Sequence, residues 1–253
     1  NEIEKKITNS EILSANDFLY QIKKINKQTK KVNLIINSFY SSRELGRHTS
    51  LNKFIRKSLL EVSQVLDNIN PKLIRKIIYT SSSSVYGSII NKVETNDNNN
   101  RYLYSSFKLA AETMIKNYCN RNKIYLDIFR VFNIYGDKDN FSIISKLILL
   151  KKNLIKKITI NNNGQSIRDF IHVEDVAKIY SKILKIKNSG IYDIGTGKGT
   201  KIIDVINSLN LKKNKILYNK RKILEIQDSI ADIRYLKKKI QTFKFKNLEN
   251  FLK

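Results

Sequence analysis

Tyr104 and Lys108 stand at the two ends of YSSFK (104–108), a spacing that on a helix puts a phenol and an ammonium on one face. A neighbouring cation favours phenolate and lowers a tyrosine pKa, which fits Tyr104 for exchanging a proton near neutral pH. Ser82, in SSSSVYG (81–87), follows the apolar run IIYT (77–80), which reads as a buried parallel strand. Its hydroxyl can donate to the oxygen that Tyr104 deprotonates. The chemistry implied is proton transfer at a substrate oxygen.

These residues need a strand to deliver the serine and a helix to carry the tyrosine and lysine. RKIIYTS (75–81) supplies the strand, Gly87 ends the loop, and an Asn-rich connection (91–100) leads to the helix, with Leu109, Ala110, Ala111, Met114, Ile115 and Tyr118 expected on its buried side. Upstream, VNLIINSF (32–39) reads as a strand, and residues 50–69 form an amphipathic helix stopped by the only proline, Pro71. IYLDIFRVF (124–132) is a further strand. Strands alternating with helices predict an α/β chain with a doubly wound parallel sheet, and ligands bind at the carboxyl ends of such strands, where NIYG (133–136) lies. Beyond it, FSIISKLILLKK (141–152) is an apolar helix, ITINNNGQSIRDFIHV (158–173) reads as strand, turn, strand, and VEDVAKIYSKILK (173–185) is a helix. GIYDIG (190–195), TKIIDVINSL (200–209), KILY (215–218) and a helix around IRYLKKK (233–239) complete the order.

SSSSVYG, YxxxK, RVFNIYG (130–136) and RDFIHVEDVA (168–177), in that order, resemble the extended short-chain dehydrogenase/reductases, the NAD-dependent epimerase/dehydratase family acting on nucleotide sugars. The resemblance implies a Rossmann-like sheet over residues 1–136 and a smaller substrate domain mainly over 137–253, with some segments returning to the main sheet. It implies NAD as cofactor, with NADP left open, and a nucleotide-diphosphate sugar as partner. By the same resemblance Tyr104 is the acid–base residue, Lys108 lowers its pKa and binds the nicotinamide ribose, and Ser82 hydrogen-bonds the reacting oxygen. Asn133 and Arg168 fall on the substrate diphosphate, for which the arginine's planar fork is suited, and Lys222 and Glu225 fall near the nucleotide, although arginine is usual at the position of Lys222. The active serine is the second of SSxxVYG, which is Ser82 on counting back from Val85-Tyr86-Gly87.

Ser83 and Ser84 stand where the family's 4,6-dehydratases carry an acidic residue, and eliminating water needs an acid/base pair there. The expected activity is therefore C4 epimerisation of a UDP-sugar of the UDP-glucose or UDP-glucuronate kind. The rivals are an NAD(P)-dependent NDP-4-keto-sugar reductase or a dehydratase, and a non-enzymatic, truncated sugar-nucleotide-binding remnant. A homodimer through the helices of 50–69 and 102–120, which the family often forms, is compatible with the sequence.

The family opens with a glycine-rich strand–helix unit that holds the cofactor pyrophosphate, yet no glycine precedes residue 30. The chain as given therefore reads as truncated or degenerate, with weak NAD binding and poor solubility expected. IGTGKGT (194–200) imitates a phosphate loop but lacks the third glycine of GxGxxG and lies after YxxxK, so it reads as a structural turn. His48, His172 and Cys119 have no partners at ligand or catalytic spacing and read as structural. One cysteine excludes an internal disulfide framework, and no zinc pattern is present. No run reaches the ~18–20 apolar residues of a membrane span, and a cytoplasmic setting is the default. The net charge of +26 comes from dispersed lysines in a composition rich in Lys, Asn and Ile. With no nucleic-acid motif beside them, they read as an AT-rich coding bias and a field that draws in a diphosphate rather than as a nucleic-acid surface.

Overall fold

Apolar runs rich in Ile, Val and Tyr become strands here because β-branched and aromatic side chains pack on a pleated surface. The computed structural model describes residues 18–37, 51–90, 100–136, 138–211, 215–219 and 226–252. In chain order the helices are α1 (Phe18–Asn26), α2 (Leu51–Ile55), α3 (Glu61–Asn68), α4 (Ser84–Ile90), α5 (Asn100–Asn122), α6 (Ile143–Lys151), α7 (Val173–Ile183), α8 (Ile202–Ser208), α9 (Arg234–Ile240) and α10 (Leu248–Leu252). The strands are β1 (Val32–Ile36), β2 (Ile74–Ser82), β3 (Tyr125–Val131), β4 (Asn133–Tyr135), β5 (Ile158–Asn161), β6 (Ile167–His172), β7 (Gly190–Ile194), β8 (Gly199–Lys201), β9 (Ile216–Asn219) and β10 (Asp228–Ser229). The chain divides into two compact units, residues 1–130 with 184–192 and residues 131–183 with 193–253.

In the first unit the sheet order is β1-β2-β3-β7, and β1 pairs parallel with β2, Leu34 opposite Ile77 and Ile36 opposite Tyr79. One face carries Ile77, Tyr79, Leu126 and Ile128 and packs on Val62 and Leu66 of α3 and on Ala111, Ile115 and Cys119 of α5. α2 runs into α3 through a π-helical turn, Arg56–Leu60. α3 stops where Ile69 turns extended, because Pro71 restricts the approach to it. Asn70 Oδ1 then accepts from Lys72 N at 3.1 Å and starts a short turn into β2. By strand alternation, Lys76 and Asp127 point to the opposite face, where they form a fully buried ion pair. On α5 the expected buried side needs correcting: Ala110 is exposed, and Lys108 and Glu112 take buried positions beside Ala111 and Ile115.

In the second unit NIYG is not merely a strand end. Asn133–Tyr135 forms its own strand, parallel to β6, with Asn133 opposite Phe170. β6 is the hub, pairing also with β10 in parallel and with β8 antiparallel. The strand, turn, strand reading of 158–173 holds for the elements, but the two strands do not pair: β5 joins β9 in a separate two-stranded sheet. Gly164 in the turn between them has a φ of +73°, and a Cβ there would lie 3.1 Å from the Ile203 backbone nitrogen, so a side chain would be strained. Tyr135, Ile144, Leu147, Leu150, Phe170 and Val205 form this unit's core. Glu174 and Asp175 open α7, as the helix dipole favours.

Candidate active site

β2 ends at Ser82 and the chain turns at once into α4, with Ser82 Oγ accepting from Ser84 N at 3.2 Å. The turn brings the hydroxyl beside the Tyr104 phenol of α5, where donation from Ser82 lowers the phenol's pKa. One helical turn on, Lys108 is buried and donates from Nζ to the Thr80 carbonyl at 2.9 Å. Its ammonium lies 5.2 Å from the Tyr79 ring centroid and 5.9 Å from that of Tyr104. The structure thus gathers Ser82, Tyr104 and Lys108 in the first unit.

The electrostatics differ from the expectation in one respect. Burial raises the Tyr104 pKa above its ordinary value, and the hydrogen bond from Ser82 is what opposes that rise; Lys108 instead directs its proton at a backbone carbonyl. The Lys108 ammonium itself is pulled down to about 8, chiefly by desolvation, with Glu112 holding it up. At neutral pH the phenol is therefore protonated and the lysine is mostly charged.

Glu112, one turn beyond Lys108, escaped the motif reading. Its carboxylate is buried and accepts from Ser81 Oγ and from Arg130, Nε at 3.2 Å and Nη2 at 2.8 Å. Arg130 in turn lies over the Tyr86 ring at 4.8 Å, and the Glu112 carboxylate and the Tyr86 phenol raise its pKa against the opposing effect of burial. The signal was present in the sequence: an arginine inside the apolar strand IYLDIFRVF has to be paired if it is buried.

In the second unit Asn133 Nδ2 donates to the Asp169 carbonyl at 3.1 Å. Arg168 Nη1 donates to Ile167 O at 2.8 Å and to Gln227 O at 3.0 Å, which orients the guanidinium at the start of β10. Asp169 is fully buried and organises the turn that imitates a phosphate loop. It accepts from Thr196 N, Thr196 Oγ1, Gly197 N and Ala231 N. A side chain at Gly195 would meet Asp169 Oδ2 at 2.6 Å. The N–H groups of this turn are thus committed to a carboxylate, as its reading as a structural turn requires. Lys222 and Glu225 lie outside the described residues, as does His48.

His172 is buried against Tyr135 and Phe251 and accepts from Glu174 N at 3.2 Å. Cys119 is buried, and desolvation pushes its thiol up to about 12. Among the described residues no group of three or more His, Cys, Asp or Glu could hold a metal ion. No described helix is long and apolar enough to cross a membrane.

The half-buried tyrosine, the buried lysine and their serine sit in a chain whose residues 11–195 match the model of a protein family, described as the NAD dependent epimerase/dehydratase family. Among curated proteins, a dTDP-D-glucose 4,6-dehydratase of Dictyostelium discoideum is 32% identical over 170 residues, 60% of this chain and 38% of that protein. The matched stretch is less than half the length of each of the first relatives. Among solved structures, a UDP-glucose 4-epimerase from Thermotoga maritima with UDP-glucose superposes with a TM-score of 0.76 at 17% identity, covering 95% of this chain and 80% of that one. A dTDP-glucose 4,6-dehydratase from Bacillus anthracis in complex with NAD gives 0.72 at 20% identity, covering 96% and 76%. At these identities the structural likeness establishes the α/β, Rossmann-like fold.

Proposed function

Since the chain belongs to the NAD dependent epimerase/dehydratase family, we propose that it serves NAD-dependent C4 epimerisation of a UDP-sugar of the UDP-glucose or UDP-glucuronate kind. One observation carries this reading: Tyr104 stands beside Ser82, which lowers its pKa, and shares a helix face with the buried Lys108, while positions 83 and 84 are serines. A carboxylate that the loop does touch, Glu112, is committed to Ser81 and Arg130 and is not placed to work as a dehydratase acid.

The residues present fit the nicotinamide-ribose end of a dinucleotide, since Tyr104 and Lys108 offer a phenol and an ammonium to its hydroxyls. Held there by Tyr104 and Lys108, NAD would supply a reversible hydride acceptor for the sugar C4. Tyr104 takes the proton of the sugar 4-hydroxyl as the carbonyl forms and gives it back as the carbonyl is reduced. Ser82 donates to that oxygen throughout. The protonated phenol of the described state is the form that donates; the basic form needs positive charge beside the ring, and Lys108 is the chain's own cation there. In the second unit, Arg168 and Asn133 are proposed for the substrate diphosphate.

The second reading is dehydration, favoured by the 32% identity to a dTDP-glucose dehydratase. Incubating the chain, joined to a glycine-rich cofactor unit of the family, with NAD and UDP-glucose, and separately with dTDP-glucose, distinguishes the two. Conversion of UDP-glucose to UDP-galactose, with no change of mass, is the expected result. A product lighter by one water would replace the epimerase reading.

A further inference from the structure

Tyr104, Lys108 and Glu112 recur at intervals of four along α5 and so lie on one helix face. The first two face the reaction in the proposed function; the third is buried and has no place in that chemistry. Its partners reveal a different task. Ser81, which donates to Glu112 Oε1, is the residue just before Ser82. Tyr86, which packs under the Arg130 guanidinium, lies near the other end of the same SSSSVYG segment. Arg130 is fastened to both oxygens of the same carboxylate. One buried carboxylate on the catalytic helix therefore grips the serine loop at both ends, directly at Ser81 and through Arg130 at Tyr86.

We propose that Glu112 is a positioning residue that clasps the 81–86 loop to α5 and so sets the Ser82 hydroxyl against the Tyr104 phenol. This rests on the proposed epimerase function for its catalytic consequence, but the clasp itself is a property of the first unit. The geometry gives the reason for a charged residue here. A carboxylate can accept a bidentate arginine and a hydroxyl together, and burial removes the water that would compete with both. Glutamine keeps the size but loses the charge and one acceptor, so it cannot hold Arg130 and Ser81 as Glu112 does.

The test compares Glu112→Gln with the parent by amide hydrogen exchange and by steady-state turnover of UDP-glucose. Exchange over residues 82–87 is expected to quicken about tenfold or more, because a charge-assisted contact is lost, while the β2 amides of 76–79 keep their protection. The kcat is expected to fall about tenfold to a hundredfold, the scale of a misplaced catalytic group, with KM for UDP-glucose little changed. In a Ser82→Ala background, Glu112→Gln is expected to cost nothing further, whereas a merely structural role gives losses that add. If Glu112→Gln does not fold, Ser81→Ala cuts one arm of the clasp, leaves the Glu112–Arg130 pair intact, and is read in the same way. Unchanged exchange over 82–87 in a folded variant overturns the proposal. A parent that turns over no UDP-sugar removes the proposed function, and the exchange comparison still decides the clasp.

Discussion

Replacing Lys108 with methionine should make the protein more stable at neutral pH while removing its activity. Lys108 is 6% exposed, and burial lowers its pKa from 10.5 to about 8. Below pH 8 the folded protein therefore holds a charge in a place that disfavours it, and at 1.36 kcal/mol per pH unit this costs on the order of 3 kcal/mol. Methionine has a similar length and no charge. It forfeits the hydrogen bond to Thr80 O, worth about 1–2 kcal/mol, so the net gain at pH 7 is about 1–2 kcal/mol. Between pH 8 and 10.5 the unfolded chain keeps a proton that the folded one has released, so the parent gains stability as pH rises through that window. The advantage of Lys108→Met should shrink and reverse within the same range. Urea unfolding followed by tyrosine fluorescence or circular dichroism at half-unit pH steps measures both curves. A gap between parent and variant that does not change from pH 7 to pH 10.5 would refute the assignment of a destabilising buried charge.

Three further outcomes follow from named contacts. Asp127→Asn leaves the buried Lys76 ammonium facing a neutral amide and should destabilise by about 3–5 kcal/mol, whereas the double variant Lys76→Met with Asp127→Leu should stay near the parent; chemical denaturation reads both. Cys119, buried and with its thiol pushed up to about 12, should stay unreactive to a thiol reagent at pH 8 in the folded protein and react on unfolding. Arg168→Lys should weaken UDP-glucose binding more than NAD binding in calorimetry, since an ammonium cannot reproduce a bidentate fork; equal UDP-glucose affinity in both proteins would leave Arg168 a structural role.

The proximity of Ser82, Tyr104 and Lys108 was legible in the sequence because it is local. An i,i+4 tyrosine and lysine, and a serine at the end of an apolar strand, are fixed by helix pitch and strand length, and the structure brings these three together. The clasp was not legible in the same way. Glu112, Ser81, Arg130 and Tyr86 come from four elements, and only the packing of β2, α4, α5 and β3 decides that they meet. Lys76 and Asp127 illustrate the same limit: each is a charge inside an apolar run, which signals a buried pair, but pairing across β2 and β3 depends on strand order. The direction of the Tyr104 pKa was missed because helix spacing predicts proximity to Lys108 and says nothing of burial, which here raises the pKa with Ser82 opposing it. In the second unit, β5 and β6 read as neighbours along the chain, yet each has its own partners, since short strands give little information on which edge they join.

Tyr104→Phe tests the central claim most directly, measured as turnover of UDP-glucose together with its binding by calorimetry. Removing the phenolic oxygen alone should lower kcat by at least about 10²–10⁴-fold, the usual contribution of general acid–base catalysis, and leave UDP-glucose affinity nearly intact. A Tyr104→Phe protein that keeps more than about half of the parent's turnover, well outside that range, would contradict the account.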